Sequence, residues 1–68
     1  MTLEEIKDAI EAGKTVHWSN DTYVIDKQVF ASGNIRYDIL CTANGHRIGL
    51  TWMDGITMNG KEDDFYIK

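Results

Sequence analysis

The sequence predicts an α+β fold, with an N-terminal helix packed on one face of a four- to five-stranded antiparallel meander sheet. Three observations indicate this fold. A capping box opens a helical pattern, two alternating runs flank a short polar turn, and an Asn44-Gly45 dipeptide separates two further alternating runs. The apolar face of such a sheet must be buried, and the apolar side of the amphipathic helix can pack against it. We therefore expect a single domain over residues 1–68.

The helix is predicted from about Leu3 to Ala12. Thr2 and Glu5 form the capping box, apolar residues recur at helical spacing, and Gly13 is a C-terminal stop. One side of this helix carries an acidic stripe, formed by Glu4, Asp8 and Glu11. The stripe either meets a basic partner or is the solvated side of an amphipathic helix.

The first two strand connections are set by the need to keep apolar residues on one face. A turn at Asn20-Asp21 pairs Val16 with Ile25 and Trp18 with Tyr23, and both pairs lie on one face. The next loop must have an odd number of residues, three or five, because only then does Ile25 face Ile39. We expect Gly33 to supply the positive φ that this loop needs.

The Asn44-Gly45 dipeptide predicts a two-residue hairpin turn. Its register pairs Cys41 with Ile48, Ile39 with Leu50 and Tyr37 with Trp52 on the face toward the helix. The outward pairs in the same register are Thr42 with Arg47, Leu40 with Gly49, Asp38 with Thr51, and Arg36 with Met53. Beyond it, residues 54–68 predict a short fifth strand, a helical turn over 61–64 and a closing contact by Phe65 or Ile67.

Composition restricts the class of protein. Eleven acidic residues against seven basic ones give a net charge of −4, which disfavours nucleic acid and favours basic partners. The single cysteine, Cys41, excludes an internal disulfide, and no run resembles a signal peptide or membrane span. We expect a soluble, cytoplasmic protein without membrane contact. Because a chain of 68 residues has a small core, a homodimer is a plausible aid to stability.

Catalytic and metal chemistry is not indicated by the spacing of reactive residues. His17, His46 and Cys41 do not form a chelating pattern, and no nucleophile accompanies His17 in a recognisable triad. Glycines fall at turn spacings and do not form a phosphate-binding loop. We expect no catalytic residue, metal or cofactor, a surface position for His17, and a protein that is not an enzyme.

The outer face of the sheet is where polar residues converge. The predicted registers place Asp26 opposite Asp38, flanked by His17, Arg36 and Arg47. Two facing carboxylates either hold a cation or share a proton, or they are neutralised by Arg36 from the same strand as Asp38.

A neighbouring outer-face row is more apolar than exposure to water requires. It contains Val24, Leu40, His17 and Gly49. A glycine inside a strand leaves a notch, which either admits a partner chain or is filled by Leu40 itself.

Three segments resemble short proteins encoded by phages and prophages: AGKTVHW at 12–18, NGHRIGLTW at 44–52 and DGITMNG at 54–60. The opening, as far as Trp18, is also similar to small phage proteins that sequester immune signalling nucleotides. The resemblance implies a small accessory phage protein, many of which inhibit host defences, anti-CRISPR proteins among them. It would then act in the host cytoplasm. The resemblance assigns no role to any residue.

These observations together predict a non-enzymatic binding protein that occludes a basic surface of a host protein or protein complex. The candidate partner-binding residues are Glu4, Asp8, Glu11, His17, Asp26, Asp38, Leu40, Arg47 and Gly49. One alternative is an oligomeric binder of nucleotides or other small ligands, stacked on Trp18, Tyr23, Tyr37 or Trp52. Another is a structural, self-assembling domain.

Overall fold

The computed structural model describes all 68 residues, and it has one helix and a five-stranded antiparallel sheet, as predicted. The elements are α1 (Leu3–Glu11), β1 (Val16–Trp18), β2 (Asn20–Val29), β3 (Ile35–Cys41), β4 (Arg47–Gly49), a 3-10 turn (Glu62–Asp64) and β5 (Phe65–Ile67). The strand order is β4-β3-β2-β1-β5. The first four strands form a meander, and the chain then crosses the molecule so that β5 pairs with β1. No helix has the length and apolar character needed to cross a bilayer.

The core lies between α1 and the inner face of the sheet. Its seven buried apolar residues come from the helix, from every strand except β4, and from the residue that follows β4: Ile6, Ala9, Val16, Ile25, Ile39, Leu50 and Phe65. Helix entry follows the capping box, since the Glu5 amide donates to Thr2 Oγ1 at 3.2 Å and the Thr2 amide donates to Glu5 Oε1 at 2.8 Å. The helix ends at Glu11, one residue before the predicted end, and Gly13 has φ +80°.

The β2–β3 register is the predicted one. Ile25 faces Ile39 and Val29 faces Ile35, and the loop that joins the strands places Gly33 at φ +88°. Between β1 and β2 the pairing of His17 with Val24 agrees with the predicted register, but the next pair does not. A bulge brings Trp18 opposite Asn20, so the predicted Trp18–Tyr23 strand pair is wrong, although the two rings are in edge-on contact at 5.1 Å.

The predicted two-residue turn at Asn44-Gly45 is wrong. The Cys41 amide donates to the His46 carbonyl at 2.8 Å, so the hairpin closes around a longer loop, with Gly45 at φ +74°. Every β4 residue is thereby moved by two positions along β3. The observed pairs are Ile39 with Ile48, Leu40 with Arg47, and Asp38 with Gly49. A shift of two keeps every side chain on its predicted face.

The chain after β4 forms a small hairpin of its own before it crosses to β5. The Trp52 amide donates to the Thr57 carbonyl at 2.8 Å, and Thr51 bridges Met58. The predicted pairs of Tyr37 with Trp52 and Asp38 with Thr51 therefore do not form. The predicted helical turn is confirmed as the 3-10 turn, and Phe65 provides the closing contact with an exposure of 3%.

Candidate functional site

Four charged side chains form one network on the outer face of the sheet. Asp26 lies opposite Asp38, as predicted. Arg36 Nε donates to Asp38 Oδ1 at 2.7 Å, and Arg47 Nη1 lies 2.6 Å from Asp26 Oδ2 and 3.6 Å from Asp38 Oδ2. Hydrogen bonding to Asp26 is the main cause that raises the pKa of Arg47. Each carboxylate is therefore paired with an arginine.

The longer hairpin loop explains this network. Because β4 is moved by two positions, Arg47 lies opposite Leu40, two residues along β3 from Asp38, and its guanidinium reaches both aspartates. Of the two alternatives for the facing carboxylates, neutralisation by arginine is the one observed, with Arg47 adding to the predicted Arg36. No group of three or more His, Cys, Asp or Glu side chains is arranged to hold a metal ion.

His17 is buried, contrary to the predicted surface position. Its exposure is 8%, its ring stacks on Tyr66 at 5.4 Å between centroids, and its Nδ1 lies 3.2 Å from the Tyr23 carbonyl oxygen. β5 covers it, because Tyr66 pairs with His17 on the sheet edge. The sequence did not indicate that β5 would return beside β1. Because β5 covers His17, this residue offers little surface to a partner.

The predicted notch beside Leu40 does not form, because Gly49 lies opposite Asp38. A Cβ atom at Gly49 would approach the Thr51 carbonyl oxygen to 3.2 Å. The small residue at this position therefore accommodates the protein's own backbone as the chain leaves β4. Leu40 is half-buried and lies opposite Arg47, and so it does not fill a glycine notch.

The three residues of the acidic stripe have different surroundings. Glu4 and Asp8 are exposed and have no hydrogen-bond or ion-pair partner. Glu11 accepts from Lys27 and from the Tyr37 hydroxyl, the latter at 3.2 Å. The contact with Lys27 is the main cause that lowers the pKa of Glu11. Glu11 therefore links the end of α1 to β2 and β3 through these two contacts.

A second group of carboxylates lies next to the start of α1. The Met1 ammonium donates to the Glu62 carbonyl at 2.5 Å, which holds the 3-10 turn against the N-terminus. None of the three acidic side chains in that turn has a partner. We call the combined set the acidic surface: Glu4, Asp8, Glu62, Asp63 and Asp64.

The aromatic residues do not share one site. Trp18 and Tyr23 contact each other and pack against the core, and Tyr37 is engaged with Glu11. Trp52 is 64% exposed. Tyr37 and Trp52 both line one groove, and Trp18 and Tyr23 do not line it.

The sequence did not reveal a groove of about 390 Å³ at the start of β3. It lies between α1 and the hairpin that follows β4, and residues that line it include Leu3, Lys7, Ile35, Arg36, Trp52 and Met53. The predicted register hid this groove because it paired Tyr37 with Trp52 and so extended β4 across it. The one signal in the sequence was Met53, an apolar residue that the predicted register places on the outer face.

The fold and these surfaces define a small α+β domain with an arginine-neutralised outer sheet face and a separate acidic surface. Comparison with protein-family models, with curated proteins and with solved structures finds no match.

Proposed function

We propose that the chain is a non-enzymatic binding protein that occludes a basic surface of a host protein or protein complex. The resemblance of its sequence to small phage proteins supports an anti-defence role of the anti-CRISPR type. In this role the protein competes for a surface and needs no chemistry of its own. Electrostatic complementarity would select the partner and speed the encounter.

The observation that supports this proposal is that some carboxylates have a partner within the protein and others do not. Four of the eleven acidic residues are in ion pairs, namely Glu11, Asp21, Asp26 and Asp38. Glu5 and Asp54 accept hydrogen bonds from the capping box and from a turn. The remaining five form the acidic surface. The carboxylates without an internal partner are therefore those on α1 and in the 3-10 turn.

Exposure favours the helix residues over the sheet residues as partner contacts. Asp38 is 1% exposed and is held by Arg36, so its carboxylate is already neutralised inside the protein. Glu4 and Asp8 are exposed and are in no ion pair, so a basic partner can pair with them. Within the candidate set, these two residues are the primary contacts that we propose.

The test is a capture experiment with the tagged chain in a bacterial lysate, followed by native mass determination of the complex. Glu4→Gln with Asp8→Asn removes two negative charges from the acidic surface. Ser32→Lys with Asn34→Lys makes the same change in net charge on the exposed loop before β3. We expect the first variant to lose the partner and the second to keep it, with weaker capture as salt rises. Equal capture by both variants, or a partner without a basic surface, contradicts the proposal.

A further inference from the structure

Part of the β3 edge has no neighbouring strand. The Cys41 amide donates to His46 and the Tyr37 carbonyl accepts from the Leu50 amide, so the odd-numbered residues of β3 direct their backbone groups toward β4. In an antiparallel strand this direction alternates from residue to residue. The backbone groups of Ile35 therefore point to the same side as those of Tyr37.

That side is uncovered at the start of β3. β4 ends at Gly49, opposite Asp38, and the chain then turns away after its single contact from Leu50 to Tyr37. The Ile35 N–H and C=O and the Tyr37 N–H have no backbone or side-chain partner on this side. The free acceptor of Ile35 and the free donor of Tyr37, two positions further on, match the N–H and C=O of a single residue in an added parallel strand.

Apolar side chains border these free backbone groups. Ile35 is 54% exposed, Trp52 is 64% exposed and Met53 is fully exposed. All three line the groove of about 390 Å³, together with Leu3 from α1. An added strand alternates its side chains between two faces, so one set of them would contact this apolar border.

The charges at the groove are opposite in sign to those of the whole protein. Its ionisable lining residues other than Tyr37 are Lys7 and Arg36, and no carboxylate lines it, although the chain carries a net charge of −4. The Lys7 ammonium lies 5.5 Å from the centre of the Tyr37 ring and has no ion pair. Arg36 uses Nε for Asp38, and its side chain is 57% exposed, so its terminal nitrogens face outward.

We propose that the edge of β3 at Ile35–Tyr37 is a docking site for an extended peptide segment of another protein that carries acidic side chains between apolar ones. The segment adds a strand to the sheet beside β3, where β4 is missing. Lys7 and Arg36 bind its carboxylates, and Trp52 and Met53 cover its apolar residues. This site is distinct from the acidic surface, and the proposal does not depend on the function proposed above.

The test uses three short synthetic peptides and the full chain. One peptide alternates glutamate with valine, the second replaces glutamate by lysine, and the third is the glutamate peptide with alternate backbone nitrogens methylated. We expect the glutamate peptide to bind and to slow hydrogen exchange at the Ile35 and Tyr37 amides. The lysine peptide should bind at least about tenfold more weakly, and so should the methylated peptide, which lacks donors for the Ile35 carbonyl.

Variants of the chain separate this site from general electrostatics. Lys7→Glu should weaken binding of the glutamate peptide about tenfold or more and strengthen binding of the lysine peptide. Lys61→Glu is the matched control, because Lys61 is exposed and does not line the groove. Trp52→Ala tests the apolar border without changing charge.

Three results overturn the proposal. The first is no binding, or equal binding, of the glutamate and lysine peptides. The second is binding without protection of the Ile35 and Tyr37 amides. The third is a concentration-dependent dimer, seen by light scattering, that protects these two amides without peptide, since the occupant would then be a second copy of the chain.

Discussion

Asp38 is almost fully buried on a face of the sheet that is otherwise open to water, and its carboxylate is held by Arg36 and Arg47. Neighbouring side chains exclude water from it, so these contacts replace its hydration. We expect Asp38→Asn to lower the free energy of unfolding by about 2 kcal/mol, since the amide leaves Arg36 without its counterion and Arg47 with Asp26 alone. Urea unfolding measures this change.

Asp26→Asn is the matched control for that substitution. Asp26 faces Asp38 and contacts the same Arg47, but its side chain is 37% exposed. Solvent screening limits such a pair to roughly 0–1 kcal/mol. If both variants lost the same free energy of unfolding, burial of Asp38 would not determine the strength of the network.

The sequence was sufficient to place the two aspartates opposite each other, because the odd loop around Gly33 fixes the β2–β3 register by parity. It was not sufficient to place Arg47. Parity permits any shift of β4 by two residues, and local turn preference for Asn44-Gly45 selected the wrong one. The position of Arg47 depends on the whole network with Asp26 and Asp38, which no local pattern contains.

Among the elements, the segment between β4 and β5 was the least predictable. Its hairpin contains turn dipeptides, which the sequence shows, but its direction across the molecule depends on contacts with Trp18 and Phe65. Gly60 lies at that contact. The helical turn and the burial of Phe65 were predictable from short-range signals, whereas the pairing of β5 with β1 was not.

Gly60→Ala tests this contact. An added Cβ would lie 2.7 Å from Trp18 Nε1 and 3.4 Å from the Phe65 ring, at φ +153°. The Trp18 ring packs against Tyr23 and cannot easily move away. We expect the free energy of unfolding to fall by about 3 kcal/mol from the backbone strain and the overlap together.

Gly55→Ala is the control, because Gly55 also has a positive φ, +70°, but its Cβ would meet no atom within 4 Å. We expect a loss of about 1 kcal/mol from the backbone conformation alone. Thermal unfolding of the two variants separates the strain from the overlap. If both glycine variants lost the same stability, the proximity of Gly60 to Trp18 would not matter to the fold.

At the scale of the whole molecule, ion pairs connect the periphery to the central strands. Glu11 binds α1 to β2 and β3 through Lys27 and Tyr37. Asp21 binds the C-terminal strand to β2, since it accepts from the Tyr66 hydroxyl at 2.5 Å and from Lys68. The carboxylates of the acidic surface and the Lys7 ammonium at the groove are in no such ion pair. Arg36 belongs to both sets of charges, since it is paired with Asp38 and also lines the groove.

These connections predict how stability depends on acid. Hydrogen bonds from Lys27 to Glu11, and from Lys68 to Asp21, are the main causes that lower the pKa of each carboxyl from its ordinary value, 4.5 for Glu11 and 3.8 for Asp21. A carboxyl with a lowered folded-state pKa stabilises the fold above its unfolded pKa. That stabilisation is lost as the pH falls through the lowered value, because the unfolded chain binds the proton first.

We therefore expect the free energy of unfolding to fall as the pH drops below 4.5, and Glu11→Gln to remove part of that dependence. The variant should be less stable than the natural sequence at neutral pH, and the two curves should converge in acid, where Glu11 is protonated in both states. Urea unfolding across the pH series measures both curves. A constant difference between the Glu11→Gln and natural curves at every pH would show that the contact with Lys27 does not stabilise the fold.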